Sequence, residues 1–182
     1  MNAIAQAVDP RERQVQFVLG KGGVGRSAVA AALARGDAAQ GLRTLLLEVD
    51  GTDTQARLLG RKPAHDIPRE VEDRLWLCTM TPEGAMKEYA LMVLRCKTLY
   101  QLVFENRLVK YLLRSIPSLG EFTMMGKTWY HTTEMKDDEP LYQRVVIDAP
   151  ATGHAVTFLS LSRTVAQVAP PGIMRDASEK MA

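Results

Sequence analysis

The sequence predicts an α/β fold of three layers, αβα, in which a mostly parallel sheet carries helices on both faces. Three observations predict it. An apolar run at Val15, Phe17, Val18 and Leu19 feeds a glycine-rich string, which an alanine-rich stretch from residue 27 to 40 follows. A second apolar run, residues 44–49 (TLLLEV), ends on Asp50, and another at residues 144–147 ends on Asp148. Unbroken apolar runs suit strands buried on both faces, and strands alternating with helices are the pattern of parallel crossovers.

The first turn carries the chemistry. Gly20, Lys21, Gly22, Gly23, Val24, Gly25, Arg26 and Ser27 read GKGGVGRS. This follows the phosphate-binding pattern G-x-x-x-x-G-K-[ST], in which glycines let backbone N–H groups close on phosphate oxygens, a lysine meets the β/γ-phosphates and a hydroxyl holds Mg²⁺. Here arginine stands in the lysine position, and a lysine has been added early in the loop. Strand, loop and helix occur in the order that puts an anion at a helix N-terminus. The fold is therefore read as a P-loop NTPase.

Gly41 marks the end of the first helix, and residues 44–49 are the next strand. Residues 60–73 hold Pro63, Pro68 and many charges without periodicity, so an exposed connection is expected there. Residues 75–80 form a further strand. Thr81-Pro82-Glu83 then supplies a hydroxyl cap, a proline for the first helical position and an acid for the first turn. Residues 82–134 read as an inserted helical subdomain, longer than an ordinary crossover needs, with Leu108, Tyr111, Leu112, Ser115 and Ile116 at helical spacing. Asp137, Asp138, Glu139 and Pro140 make a solvated acidic turn before the strand at 144–147. Asp148 closes that strand at the edge where open α/β sheets bind ligands, which suits a metal-holding carboxylate. Asp50 holds the same place on its own strand.

The chain has 182 residues, 46% of them hydrophobic, enough for one well-cored domain: residues 14–182 behind a loose tail at 1–13. A net charge of +2 creates no general attraction for nucleic acid. No apolar stretch is long enough to span a bilayer, and the expected location is the cytoplasm, with peripheral membrane contact left open. Cys78 and Cys96 lie in apolar surroundings without the spacing of a zinc site, and His65, His131 and His154 are scattered.

Three segments together resemble the ArsA-type ATPases, the anion-transporting and tail-anchored-protein targeting group. They are GKGGVGRS at 20–27, LLLEVDG at 45–51 and VVIDAPATGHAVTFL at 145–159. This group stands with MinD, ParA and the nitrogenase iron protein among P-loop proteins with an extra early lysine. DAPATGH is similar to the family's switch sequence D-T-A-P-T-G-H, and residues 116–121 (IPSLGE) resemble its P-G-x-x-E segment. The resemblance implies a dimeric ATPase using ATP and Mg²⁺. Gly22, Gly23 and Gly25 would bind phosphates through the backbone, and Lys21 would reach the partner's nucleotide as a catalytic residue. Asp50 would position the attacking water as first switch aspartate. Ser27, Asp50 and Asp148 would hold the metal, and His154 would orient the second switch. Partners implied are a second copy or a related ATPase subunit, and a client or membrane protein at the helical region.

The chain departs from that pattern in four ways. Arg26 replaces a compact ammonium with a planar fork. Gly51 replaces the usual proline, which should loosen the first switch. The chain is short at its C-terminus beside family members, so the sheet is expected to lack strands next to the P-loop strand. The family's arsenite and zinc cysteines have no counterpart. Besides the ATPase reading, two others stay open: a non-hydrolysing, nucleotide-gated binding module and a ParA/MinD-like positioning ATPase. Arg107, Lys110 and Arg114 share a helix face that reads as solvated, and Met86, Met92, Met124 and Met125 read as core.

Overall fold

The computed structural model describes residues 14–94 and 119–150. Strand β1 (Val15–Val18) leads through the glycine loop into helix α1 (Arg26–Ala39), and β2 (Thr44–Val49) into α2 (Thr54–Leu59). Then come β3 (Arg69–Glu72), β4 (Leu75–Met80), α3 (Pro82–Leu94), α4 (Leu119–Thr133), the short pair β5 (Met135–Lys136) and β6 (Glu139–Pro140), and β7 (Arg144–Asp148). The main sheet has the order β1-β7-β2-β4-β3, all pairs parallel except β3 with β4.

Side-chain alternation along the strands divides the core between two faces. Leu46, Leu75, Leu77 and Val146 pack on one face under α1 and α2, against Ala30, Ala34, Ala56 and Leu59. Leu45, Leu47, Met80, Val145 and Ile147 pack on the other, against Ala85, Met124 and Met125 of α3 and α4. The sheet thus lies between two helical layers, the predicted three-layer arrangement. The small residues of α1 let its backbone lie close to the sheet. Both described ends of the 82–134 helical segment pack into the core, as expected for Met124 and Met125, while Leu108 to Ile116, Arg107, Lys110 and Arg114 lie outside the described residues. Thr81 caps α3 as expected, its hydroxyl accepting from Gly84 N–H at 3.0 Å.

One sequence expectation needs correcting. Residues 60–73 are not wholly an exposed connection, because Arg69–Glu72 forms an antiparallel edge strand on β4. Backbone pairing makes this strand, and Val71 is its only apolar residue. Its charges leave no periodicity to read and suit an edge that must not pair with another chain. The acidic turn joins β5 to β6 with Asp137 and Asp138 at φ 53° and 63°, the positive pair that a tight hairpin turn requires. At the opposite end of the sheet, β1 has β7 as its neighbour among the described residues.

Cys78 is fully buried on β4, and burial pushes its thiol up to about 12. Cys96 lies outside the described residues. Among those described, no helix is long and apolar enough to cross a membrane.

Candidate functional site

Because β1, β7, β2 and β4 run parallel, their carboxyl ends meet at one edge. Val18 pairs with Asp148, Asp148 with Glu48, and Val49 with Met80. The loops leaving this edge build the site. Gly23 and Gly25 take φ 81° and 85°, a region side chains disfavour, and this lets the chain double back before α1. A Cβ on Gly22, Gly23 or Gly25 would meet nothing within 4 Å, so the loop is an open cradle. Gly25 begins α1 without a side-chain cap, and its first turn carries no acid, which leaves backbone N–H groups to an anion. Lys21 and Val24 are exposed on the loop.

Beside the loop is a cleft of about 350 Å³, whose lining includes Arg26, Ser27, Glu48, Asp50, Asp148 and Glu121. Four residues marked in the sequence, Arg26, Ser27, Asp50 and Asp148, therefore share one space. Lys21 is not in its lining. Asp50 sits at the turn out of β2 with φ 51°, its N–H donating to the Met80 carbonyl at 3.0 Å. Glu121, from the segment resembling P-G-x-x-E, enters from the helical layer. His154 and the rest of DAPATGH after Pro150 lie outside the described residues.

Arg26 turns toward Asp148. Its Nε donates to Asp148 Oδ1 at 2.8 Å and its Nη1 to the Gly20 carbonyl at 3.3 Å. The other oxygen, Asp148 Oδ2, accepts from Gln55 Nε2 at 2.8 Å, and that amide also donates to the Ser27 carbonyl at 2.9 Å. Asp148 is 3% exposed and Gln55 is fully buried, and both contacts to the Asp148 carboxylate are charge-assisted. Gln55 thereby ties α2 to both the phosphate loop and β7.

Sequence reasoning missed Glu48 and Gln55. The Glu48 carboxylate accepts from Thr54 N–H at 2.9 Å, Gln55 N–H at 3.3 Å and the Thr79 hydroxyl at 3.1 Å. Asp53, the residue that starts α2, makes no side-chain cap, and Glu48 caps the helix from β2 instead. One signal was available: an acid inside TLLLEV must be buried if the strand is, and a buried carboxylate needs donors. Gln55 carried no such signal, because its strand-like or helical setting is undecided by its neighbours.

A divalent cation fits this arrangement only in part. The Ser27 hydroxyl stands at the loop's end, but both oxygens of Asp148 already accept, one of them from a cation. Among the described residues, no group of three or more His, Cys, Asp or Glu is arranged to hold a metal ion.

The chain is 29% identical over 178 residues to the ATPase BagA of Mycobacterium tuberculosis and, equally, to a protein of Mycobacterium bovis named as an ATPase. In each case 91% of this chain aligns with 51% of the relative, so the chain spans about half the length of the curated relatives it matches. The family described as anion-transporting ATPase (ArsA ATPase) matches residues 13–172. With that match covering most of the sequence, the chain belongs to the ArsA-type, anion-transporting ATPase family.

Proposed function

We propose that this chain binds ATP in the cleft beside residues 20–27 and works as a dimeric ATPase whose nucleotide state is passed to a partner-binding helical surface. The observation that carries the reading is the convergence of Arg26 and Ser27, at the end of the glycine loop, with Asp50 and Asp148 on one cleft. Backbone N–H groups of Gly22, Gly23 and Gly25 hold the phosphate oxygens, helped by the start of α1. Asp50 orients the attacking water from the end of β2. Lys21, exposed on the loop, reaches the nucleotide of a second copy or a related subunit, where a cation given in trans contributes about 10³ to 10⁵ in rate by analogy with arginine fingers. Movement of residues 50–53 is felt by α2 through Glu48 and by the P-loop through Gln55, while Glu121 links the cleft to the helical layer. The family implies Mg²⁺ with the nucleotide; Ser27 is the residue that would hold it, while Asp148 already pairs with Arg26 and Gln55.

A second reading, a nucleotide-gated module that does not hydrolyse, is favoured by one observation: Arg26 is committed to Asp148 and Gly20. Phosphate release by wild type, Lys21→Ala and Arg26→Lys separates the two. The ATPase reading expects turnover in the wild type that falls at least about tenfold in Lys21→Ala. Background rates in the wild type with a gain in Arg26→Lys support the module. Calorimetry showing no ATP binding by the folded protein defeats both.

A further inference from the structure

We infer that Arg26 takes the place of the divalent cation at Asp148, so that this cleft binds a nucleoside polyphosphate without needing Mg²⁺. The inference rests on the nucleotide-binding reading above and goes beyond it. A metal beside Asp148 would have to share a nearly buried carboxylate with a guanidinium 2.8 Å away. The two cations repel, and their mutual energy rises steeply in a dry site. Each Asp148 oxygen also already accepts a hydrogen bond, Oδ1 from Arg26 Nε and Oδ2 from Gln55 Nε2, both at 2.8 Å, so a metal would compete with two fixed partners for the lone pairs that remain.

Arg26 has donors left for a phosphate. A guanidinium carries five N–H groups in a planar fork. One from Nε goes to Asp148 and one from Nη1 to Gly20, and among the described residues Nη2 has no partner. Arg26 itself lines the cleft, with its side chain 19% exposed. It can therefore keep its ion pair with Asp148 while a remaining N–H meets a phosphate oxygen. A lysine at this position has one charged nitrogen at the end of a flexible stem, and it cannot bridge two anions in a fixed plane. The substitution at the centre of the loop thus supplies, from the protein, positive charge that a metal would otherwise bring.

The test is calorimetric titration of the full chain with the β,γ-imido analogue of ATP, in Mg²⁺ and in excess EDTA. The wild type is expected to bind with affinities within about threefold of each other in the two buffers. Arg26→Ala should lose at least about tenfold in EDTA, the cost of one charge-assisted contact, and should recover part of that in Mg²⁺, because Asp148 is then open to a cation. Arg26→Lys should become metal-dependent by about tenfold or more. Circular dichroism melting of each variant establishes that it is folded. A wild type that weakens tenfold or more in EDTA overturns the inference while leaving nucleotide binding intact, as does Arg26→Ala binding equally well in both buffers. A folded wild type that binds in neither buffer overturns the nucleotide reading itself, and this inference with it.

Discussion

A Cβ on residue 51 would overlap Cγ of Glu48, so Gly51 and the buried Glu48 side chain occupy what would otherwise be one space. The glycine after Asp50 therefore has a packing role. It admits the carboxylate that caps α2 and ties it to Thr79 on β4. The loop carrying Asp50 is pinned at its far end by a side chain from the strand before it.

This relationship predicts a coupled pair of substitutions. Gly51→Ala should destabilise by about 1 to 3 kcal/mol through overpacking, and Glu48→Ala by about 1 to 3 kcal/mol through the donors it leaves without an acceptor. Together they should cost less than the sum, by about 0.5 to 3 kcal/mol, because removing the Glu48 side chain frees the space that the added methyl group fills. Urea unfolding of the four proteins measures the coupling. Additive costs would mean that the loop relieves the clash elsewhere.

The Asp37–Arg144 pair ties α1 to β7 at 3.2 Å, with both residues 6% exposed. Burial raises the Asp37 carboxyl above its ordinary value despite the nearby guanidinium, which means desolvation outweighs the attraction. Asp37→Ala should thus cost about 3 to 5 kcal/mol by removing one partner of a buried ion pair, whereas replacing both residues, Asp37→Leu with Arg144→Met, should be close to neutral. Thermal or urea denaturation of both variants decides it. A double variant as unstable as Asp37→Ala would show that the pair stabilises on balance.

His131 of α4 is buried beside Tyr142, its Nδ1 3.2 Å from Glu134 Oε2. Burial lowers its pKa, and the hydrogen bond to Glu134 only partly opposes this. Below the ordinary value of 6.5 the unfolded chain binds more protons at this residue than the folded one. Stability is consequently lost as pH falls from that value through the folded pKa, by up to about 1.4 kcal/mol per pH unit. His131→Gln should melt with a shallower fall between about pH 7 and 5 than the wild type. Equal slopes would assign the acid sensitivity to other groups.

Much of the fold was legible because its signals are local. The run TLLLEV marks a two-sided buried strand, GKGGVGRS marks the turn between a strand and an alanine-rich helix, and Thr81-Pro82 marks a helix start. Arg69–Glu72 was not legible, since its backbone is held by β4 and its side chains carry no alternation. Gln55 was not legible either: its importance comes from Ser27 and Asp148, distant in sequence and adjacent only after folding.

The sequence by itself determined the parallel core, the glycine loop between its first strand and helix, and the family, because glycine placement, strand hydrophobicity and short-range spacing are properties of neighbouring residues. Only the tertiary structure decided what Arg26 does. A side chain's partners depend on which strands meet at the sheet edge, and the pairing of β1 with β7 sets the arginine of the loop against Asp148. The same assembly set Glu48 under Gly51, since a buried carboxylate must find its donors wherever the folded backbone offers them.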